Sequence, residues 1–178
     1  MNFRRRLLRR DNRVLLGIER VIANHEIEPG RFYLAPHYDG EPLLFQCIRI
    51  GETSEGQPDL RALRFSPGTQ YPISLESIPH DGPLVALPEV HVRIDAPSLT
   101  ATNHTSSVRS GMFLVAGSEA FVAAPQGFRE WALINISTGR PAVGRWREDW
   151  AAFSRWLLVI EDNGEEIPIA DFTGTETV

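Results

Sequence analysis

The chain has 178 residues, 42% hydrophobic and 23% charged, with a formal net charge of −5 and one cysteine. That size suits one well-packed domain, and the composition excludes wholesale disorder and any internal disulfide framework. No stretch approaches the roughly 20 consecutive apolar residues of a membrane-spanning helix, so no membrane span is expected.

The charge is unevenly spread. Residues 1–20 hold seven Arg against Asp11 and Glu19, a balance of +5, and residues 21–178 hold eleven Arg against twenty-one acids, a balance of −10. An acidic body repels nucleic acid and anionic surfaces, which leaves the basic start as the only route to such partners. Lysine is absent from the chain. That removes Schiff-base and P-loop lysine chemistry.

Taken in chain order, residues 3–25 fit a helix. Phe3, Leu7, Val14, Ile18 and Val21 line up at about 100° per residue, flanked by Leu8, Leu15 and Ile22. Arg5, Arg6, Arg9, Arg13 and Arg20 gather on the opposite side. Leu7-Leu8 runs directly into Arg9, Arg10 and Asp11, so a secretory signal is not expected and a cytoplasmic location is. Pro29-Gly30 ends the element.

Shorter periods follow. RFYLAPHY (31–38), PLLFQCIRIG (42–51) and DLRALRFS (59–66) read as strands, the first two as a hairpin. The Pro-rich stretch after them reads as a long loop around one edge strand. Within 83–96, Val90, Val92 and Ile94 alternate with His91, Arg93 and Asp95. SLTATNHTSSVRSG reads as a polar loop, residues 112–125 as two strands about Gly117-Ser118, and 130–138 as another strand. Trp146, Trp150 and Phe153, spaced by four and three, predict a short helix near 146–153. Asn163-Gly164 predicts a hairpin within 155–172.

The expected fold is therefore α+β and β-rich. It is an antiparallel sheet, sandwich or half-barrel with the amphipathic N-terminal helix packed on it. A single domain covers 1–178, with the Arg-rich helix at 1–25, the β-rich body at 31–171 and a frayed tail at 172–178. Regular βαβ alternation is absent, which disfavours a parallel doubly wound sheet.

Chemistry-bearing patterns are sparse. His37 with Asp39, and His80 with Asp81, lie in two similar Pro-His and Asp-Gly turns. If they converge they form a His/carboxylate site suited to a divalent metal or to water activation. His37-x-Asp39 has a loose likeness to the first metal motif of the cupins, but the glutamate and the second motif of that family are missing, so no family follows. No G-x-S-x-G, G-x-G-x-x-G or C-x-x-C occurs. Cys47, inside an apolar run, reads as a buried small hydrophobe. Trp146 and Trp150 fit either a core or a partner surface.

No cofactor or resident metal is expected. The leading functional expectation is a non-enzymatic protein-interaction module of the inhibitor, immunity, chaperone or adaptor type, of bacterial or mobile-element origin. Its partner is another protein or a second copy of itself, met through Arg5, Arg6, Arg9, Arg13 and Arg20. The alternatives are a His-dependent or metal-assisted enzyme at the His37 and His80 turns, and an anionic-surface or nucleic-acid binder.

Overall fold

The computed structural model describes residues 20–22, 26–36, 42–79, 83–101, 108–127, 130–142 and 150–172. In chain order its strands begin with β1 (Arg20–Ile22), β2 (Phe32–Ala35), β3 (Leu43–Glu52), β4 (Pro58–Phe65), β5 (Ile73–Glu76) and β6 (Leu84–Ala86). Next come β7 (Val90–Ile94), a 3-10 turn (Ala96–Ser98) and β8 (Leu99–Ala101). Then follow β9 (Phe113–Ala116), β10 (Glu119–Gly127), β11 (Glu130–Asn135), β12 (Arg140–Pro141) and β13 (Ala151–Phe153). The last hairpin is β14 (Trp156–Asp162) and β15 (Glu165–Asp171).

These strands form three antiparallel sheets. The first has the order β1-β6-β2-β3-β4-β5, the second β12-β11-β10-β9-β13-β8, and the third β15-β14-β7. One face of each sheet turns toward a shared core. The first sheet contributes Phe32, Leu44 and Phe65, the second Phe113, Val122 and Ile134, and the third Trp156, Leu158 and Ile160. The strand period of two explains how β3 serves two layers. Leu44 and Ile48 enter this core, while Leu43, Phe45 and Cys47 enter a second cluster on the far face of the same sheet. A third cluster, with Leu114, Phe121, Ala123 and Ala152, covers the far face of the second sheet.

The first two sheets are stitched through the turn after β11. Arg49 N–H donates to Gly139 O at 2.8 Å, while on the first-sheet side of this junction Gly30 N–H donates to Cys47 O at 2.8 Å. Gln46, fully buried among apolar neighbours, donates from Nε2 to Gly30 O at 2.9 Å and to Ile136 O. Asn135 Oδ1 holds the turn by accepting from the N–H groups of Ser137 and Thr138.

Three expectations are corrected. Residues 20–22 are strand, not helix: Arg20, Val21 and Ile22 pair with Ala86, Val85 and Leu84. Ladder bonds to a distant strand override the local helical period there. The rest of the expected helix lies outside the described residues. Ala151–Phe153 is also strand, held between β9 and β8. Trp150 joins the cluster on the far face of the second sheet, whereas Phe153 packs against the central core. A helix would have put both on one side. Finally, the tail is not frayed at Phe172, which is fully buried and donates its N–H to Trp156 O at 3.0 Å. Residues 173–178 lie outside the described residues.

The remaining strands follow the sequence closely. The hairpin expectations at β2–β3 and β14–β15 match the observed pairings. The stretch 83–96 divides at Leu87-Pro88, sending β6 to the first sheet and β7 to the third. Residues 99–101, read as loop, form β8.

Candidate functional site

The side chains of His37, Asp39, His80 and Asp81 lie outside the described residues, as do Arg5, Arg6, Arg9, Arg13 and Trp146. The strands that carry the two His turns are neighbours. Tyr33 and Leu34 of β2 pair with Ala86 and Val85 of β6. This antiparallel register brings the end of β2 at Ala35 and the start of β6 at Leu84 to the same end of the first sheet. Arg20 occupies the outer strand β1, opposite Ala86. Trp150 is 8% exposed and stacks on Phe121 with ring centroids 5.0 Å apart at 17°, which makes it a core residue. Among the described residues, no three His, Cys, Asp or Glu side chains come together in a metal-binding arrangement. Cys47 is fully buried, and burial pushes its thiol pKa up to about 12, far from the range of a reactive thiolate.

The feature that stands out is continuous in sequence. Residues 90–101 supply β7, an edge strand of the third sheet, and β8, an edge strand of the second. On the inner side β7 pairs with β14, from Ile94 opposite Trp156 to Val90 opposite Ile160. On the inner side β8 pairs with β13, from Leu99 opposite Phe153 to Ala101 opposite Ala151. Among the described residues no strand pairs with the outer side of either. An unpaired strand edge presents a row of N–H and C=O groups able to take another strand.

The corner between the two strands is pinned on Arg155. Asp95 N–H donates to Arg155 O at 3.1 Å, and Arg155 N–H donates to Ser98 Oγ at 3.1 Å. Ser98 Oγ donates to Asp95 O at 2.6 Å, and the Arg155 guanidinium meets Asp95 Oδ2 at 2.9 Å. Pro97 in the 3-10 turn fixes one backbone angle in advance. Two apolar side chains flank this corner and face water: Ile94 is 40% exposed and Leu99 is 56% exposed.

The opposite edges of the second and third sheets are guarded differently. β15 carries Pro168, Glu165 and Glu166, and β12 carries Pro141. Proline cannot donate to an incoming strand, and charge resists a dry contact. Within β7 and β8 there is no proline, and Arg93 is the one charged residue besides the titratable His91. Arg93 is committed elsewhere. It reaches across β14 to Glu166, with Nε to Oε2 at 2.9 Å and a second contact from Nη2 to Oε1. By register, this pair passes over Val159, which is 2% exposed. The hydrogen bonds from Arg93 hold the Glu166 carboxyl below the ordinary carboxylate range.

Sequence reasoning found the alternation in β7 but not the edge. Compared with known proteins, the chain matches no family model, no curated protein and no solved structure.

Proposed function

We propose that the protein is a non-enzymatic interaction module that binds an extended segment of another protein along residues 90–101. The observation that carries this reading is the unguarded double edge, with Ile94 and Leu99 exposed at its pinned corner. An added strand would satisfy edge backbone groups, while Ile94 and Leu99 would supply apolar contacts and set its position. The fixed corner keeps the ordering penalty on binding low. The arginines Arg5, Arg6, Arg9, Arg13 and Arg20 are the second contact in this reading, toward an acidic partner surface.

The test is a displayed library of extended peptides selected on the full-length protein, with amide shifts read by NMR. Selected peptides are expected to perturb the amides of 90–94 and 99–101, and to bind Leu99→Asp and Ile94→Asp at least about tenfold more weakly, near 1.4 kcal/mol per contact. Perturbations confined to other strands, or unchanged binding by both variants, would overturn the reading. Concentration-dependent self-association abolished by the same variants would identify the partner as a second copy.

A second reading, a His-dependent or metal-assisted enzyme, draws support from the neighbouring strand ends at Ala35 and Leu84. Calorimetric titration with Zn2+ is the check. Binding lost in both His37→Ala and His80→Ala would favour this reading, and binding indifferent to both changes would remove it.

A further inference from the structure

Strand β7 is complementary to itself. With the residue before it, it reads Glu89-Val90-His91-Val92-Arg93: acid, apolar, histidine, apolar, base. An acid and a base spaced in this way about two apolar residues occur nowhere else in the chain. Val90 and Val92 pack on the central core, while His91 and Arg93 line the opposite, solvent face. Glu89 Oε1 lies 3.9 Å from His91 Nδ1, which puts Glu89 on that face as well. The row is open to water: the side chains of Glu89, His91 and Arg93 are 85%, 47% and 60% exposed.

The ladder decides which backbone groups face outward. Asp95 N–H donates to Arg155 O, and bonded residues alternate along an antiparallel pair. His91 and Arg93 therefore bond inward to β14. The N–H and C=O groups of Val90, Val92 and Ile94 point to the open side.

We infer that the partner at this edge is a second copy of the same chain, paired antiparallel through β7 about a two-fold axis at His91. The inference rests on residues 90–101 being a binding edge, as proposed above, and names the partner. In this register Val90 and Val92 exchange backbone bonds with Val92 and Val90 of the second copy. On the solvent face Glu89 stands opposite Arg93 of the second copy, and the two-fold axis repeats that pair. Arg93 can serve two carboxylates. Its Nε and Nη2 go to Glu166 of its own chain, which leaves the Nη1 N–H groups for Glu89 of the second copy. On the core face, the exposed Ile94 meets Pro88 of the second copy. The two three-stranded sheets then run on as one.

Charge selects this register from its neighbours. Outward-bonding residues pair only with one another, so the axis falls on a residue and not between two. An axis at Val92 sets Glu89 against Asp95, and an axis at Arg93 sets two guanidinium groups against each other. An axis at Val90 leaves Arg93 opposite Leu87. The axis at His91 alone matches the acid with the base. Opposite charges facing across a strand pair stabilise it and like charges destabilise it.

Such a pairing is small, so a weak dimer is expected, with a Kd of roughly 1–100 μM. Sedimentation velocity of the full-length protein over a concentration series tests it. Wild type should dimerise. Glu89→Arg alone and Arg93→Glu alone each bring like charges together, and each should weaken the dimer at least about tenfold. An equimolar mixture of the two variants should restore it, because each copy then offers the charges that the other needs. A wild type that stays monomeric, or variants that the mixture does not rescue, overturn the inference. If selected peptides still shift the amides of 90–94 while wild type stays monomeric, the binding edge stands and the second copy alone falls. If neither happens, both fall.

A second measurement fixes the axis. At the axis, His91 faces His91 of the second copy in a non-bonded pair, with Cα atoms about 4.5 Å apart, close enough for a disulfide. His91→Cys should therefore give a covalent dimer under mild oxidation, and Arg93→Cys should not. Cys47 is fully buried and does not compete. Failure of His91→Cys to cross-link where wild type is dimeric overturns the axis, as does a covalent dimer from Arg93→Cys.

Discussion

Trp156 and Phe172 lie face to face, with ring centroids 4.1 Å apart and planes within 7°. Phe172 follows the last strand, yet its N–H bonds to Trp156 O, so the last described residue closes the central core. Phe65 meets both rings edge-on, at 6.5 Å and 6.3 Å. The indole Nε1 donates to Gly111 O at 2.7 Å, tying this cluster to the turn before β9.

Phe172→Ala should therefore cost about 3–5 kcal/mol. Urea unfolding followed by tryptophan fluorescence measures it. A loss well under about 1 kcal/mol would mean that Phe172 is not the closing residue.

Gly139 is the second test. Its φ is +63°, and an added Cβ would sit 2.5 Å from Gly30 N and 2.7 Å from Cys47 O, both backbone atoms of the stitched junction. Gly117 has nearly the same φ, +60°, but open space around it. Gly117→Ala should cost about 1–2 kcal/mol from the backbone conformation alone. Gly139→Ala should cost about 1–3 kcal/mol more, because fixed backbone cannot yield as a side chain does. Paired denaturant titrations read the difference.

Gln46 tests the same junction from the side-chain end. Gln46→Leu removes the donor to Gly30 O and Ile136 O, leaving buried carbonyls unpaired at about 1–3 kcal/mol. Gln46→Glu should be worse at neutral pH, since a carboxylate would face those two oxygens. Its deficit relative to wild type should shrink on acidification, as the protonated carboxyl regains a donor. A deficit that grows on acidification would contradict the geometry.

Alkaline stability should depend on two groups on the far face of the first sheet. Burial raises the pKa of Cys47 from 9.0 to about 12, and burial also raises that of Tyr33 above 10.0. Both groups are neutral when folded and ionise more readily when unfolded. The stability each contributes is complete below its unfolded pKa and is lost as pH rises toward the folded value. Melting temperatures should fall from about pH 9 upward. Cys47→Ala should flatten the start of that fall, with Tyr33→Phe flattening the part above pH 10.

The Arg93–Glu166 pair should behave oppositely and weakly. Glu166 is held below its ordinary range, so the contribution is present above that range and is lost as acid protonates it. Both partners are exposed, and salt should erase most of the effect. Comparing Glu166→Gln with wild type at low and high ionic strength measures it.

What was legible in the sequence was local. Asn163-Gly164 dictated its hairpin because both residues accept positive φ, and they take 52° and 79°. Val90–Ile94 showed its inward and outward faces by alternation alone. What was not legible depended on distant partners. The strand at 20–22 exists because β6 offers an edge more than sixty residues later. Ala151–Phe153 became the second strand from the end of its sheet only when β8 and β9 closed on both sides. The proposed binding edge is harder still, because an edge is defined by a strand that fails to arrive, and no residue of 90–101 encodes that by itself. The His37 and His80 turns resembled each other in sequence, and the nearness of their flanking strand ends is a product of the β2–β6 register.

One consequence of β3 concerns synthesis in the cell. Leu43 to Ile48, buried without interruption, reads LLFQCI: no charge, no proline, no glycine. Such a segment is prone to stack with copies of itself when exposed. It leaves the ribosome before β4, the strand that later pairs along one of its sides. Pro42 at one end and Arg49 at the other then act as gatekeepers on a nascent chain.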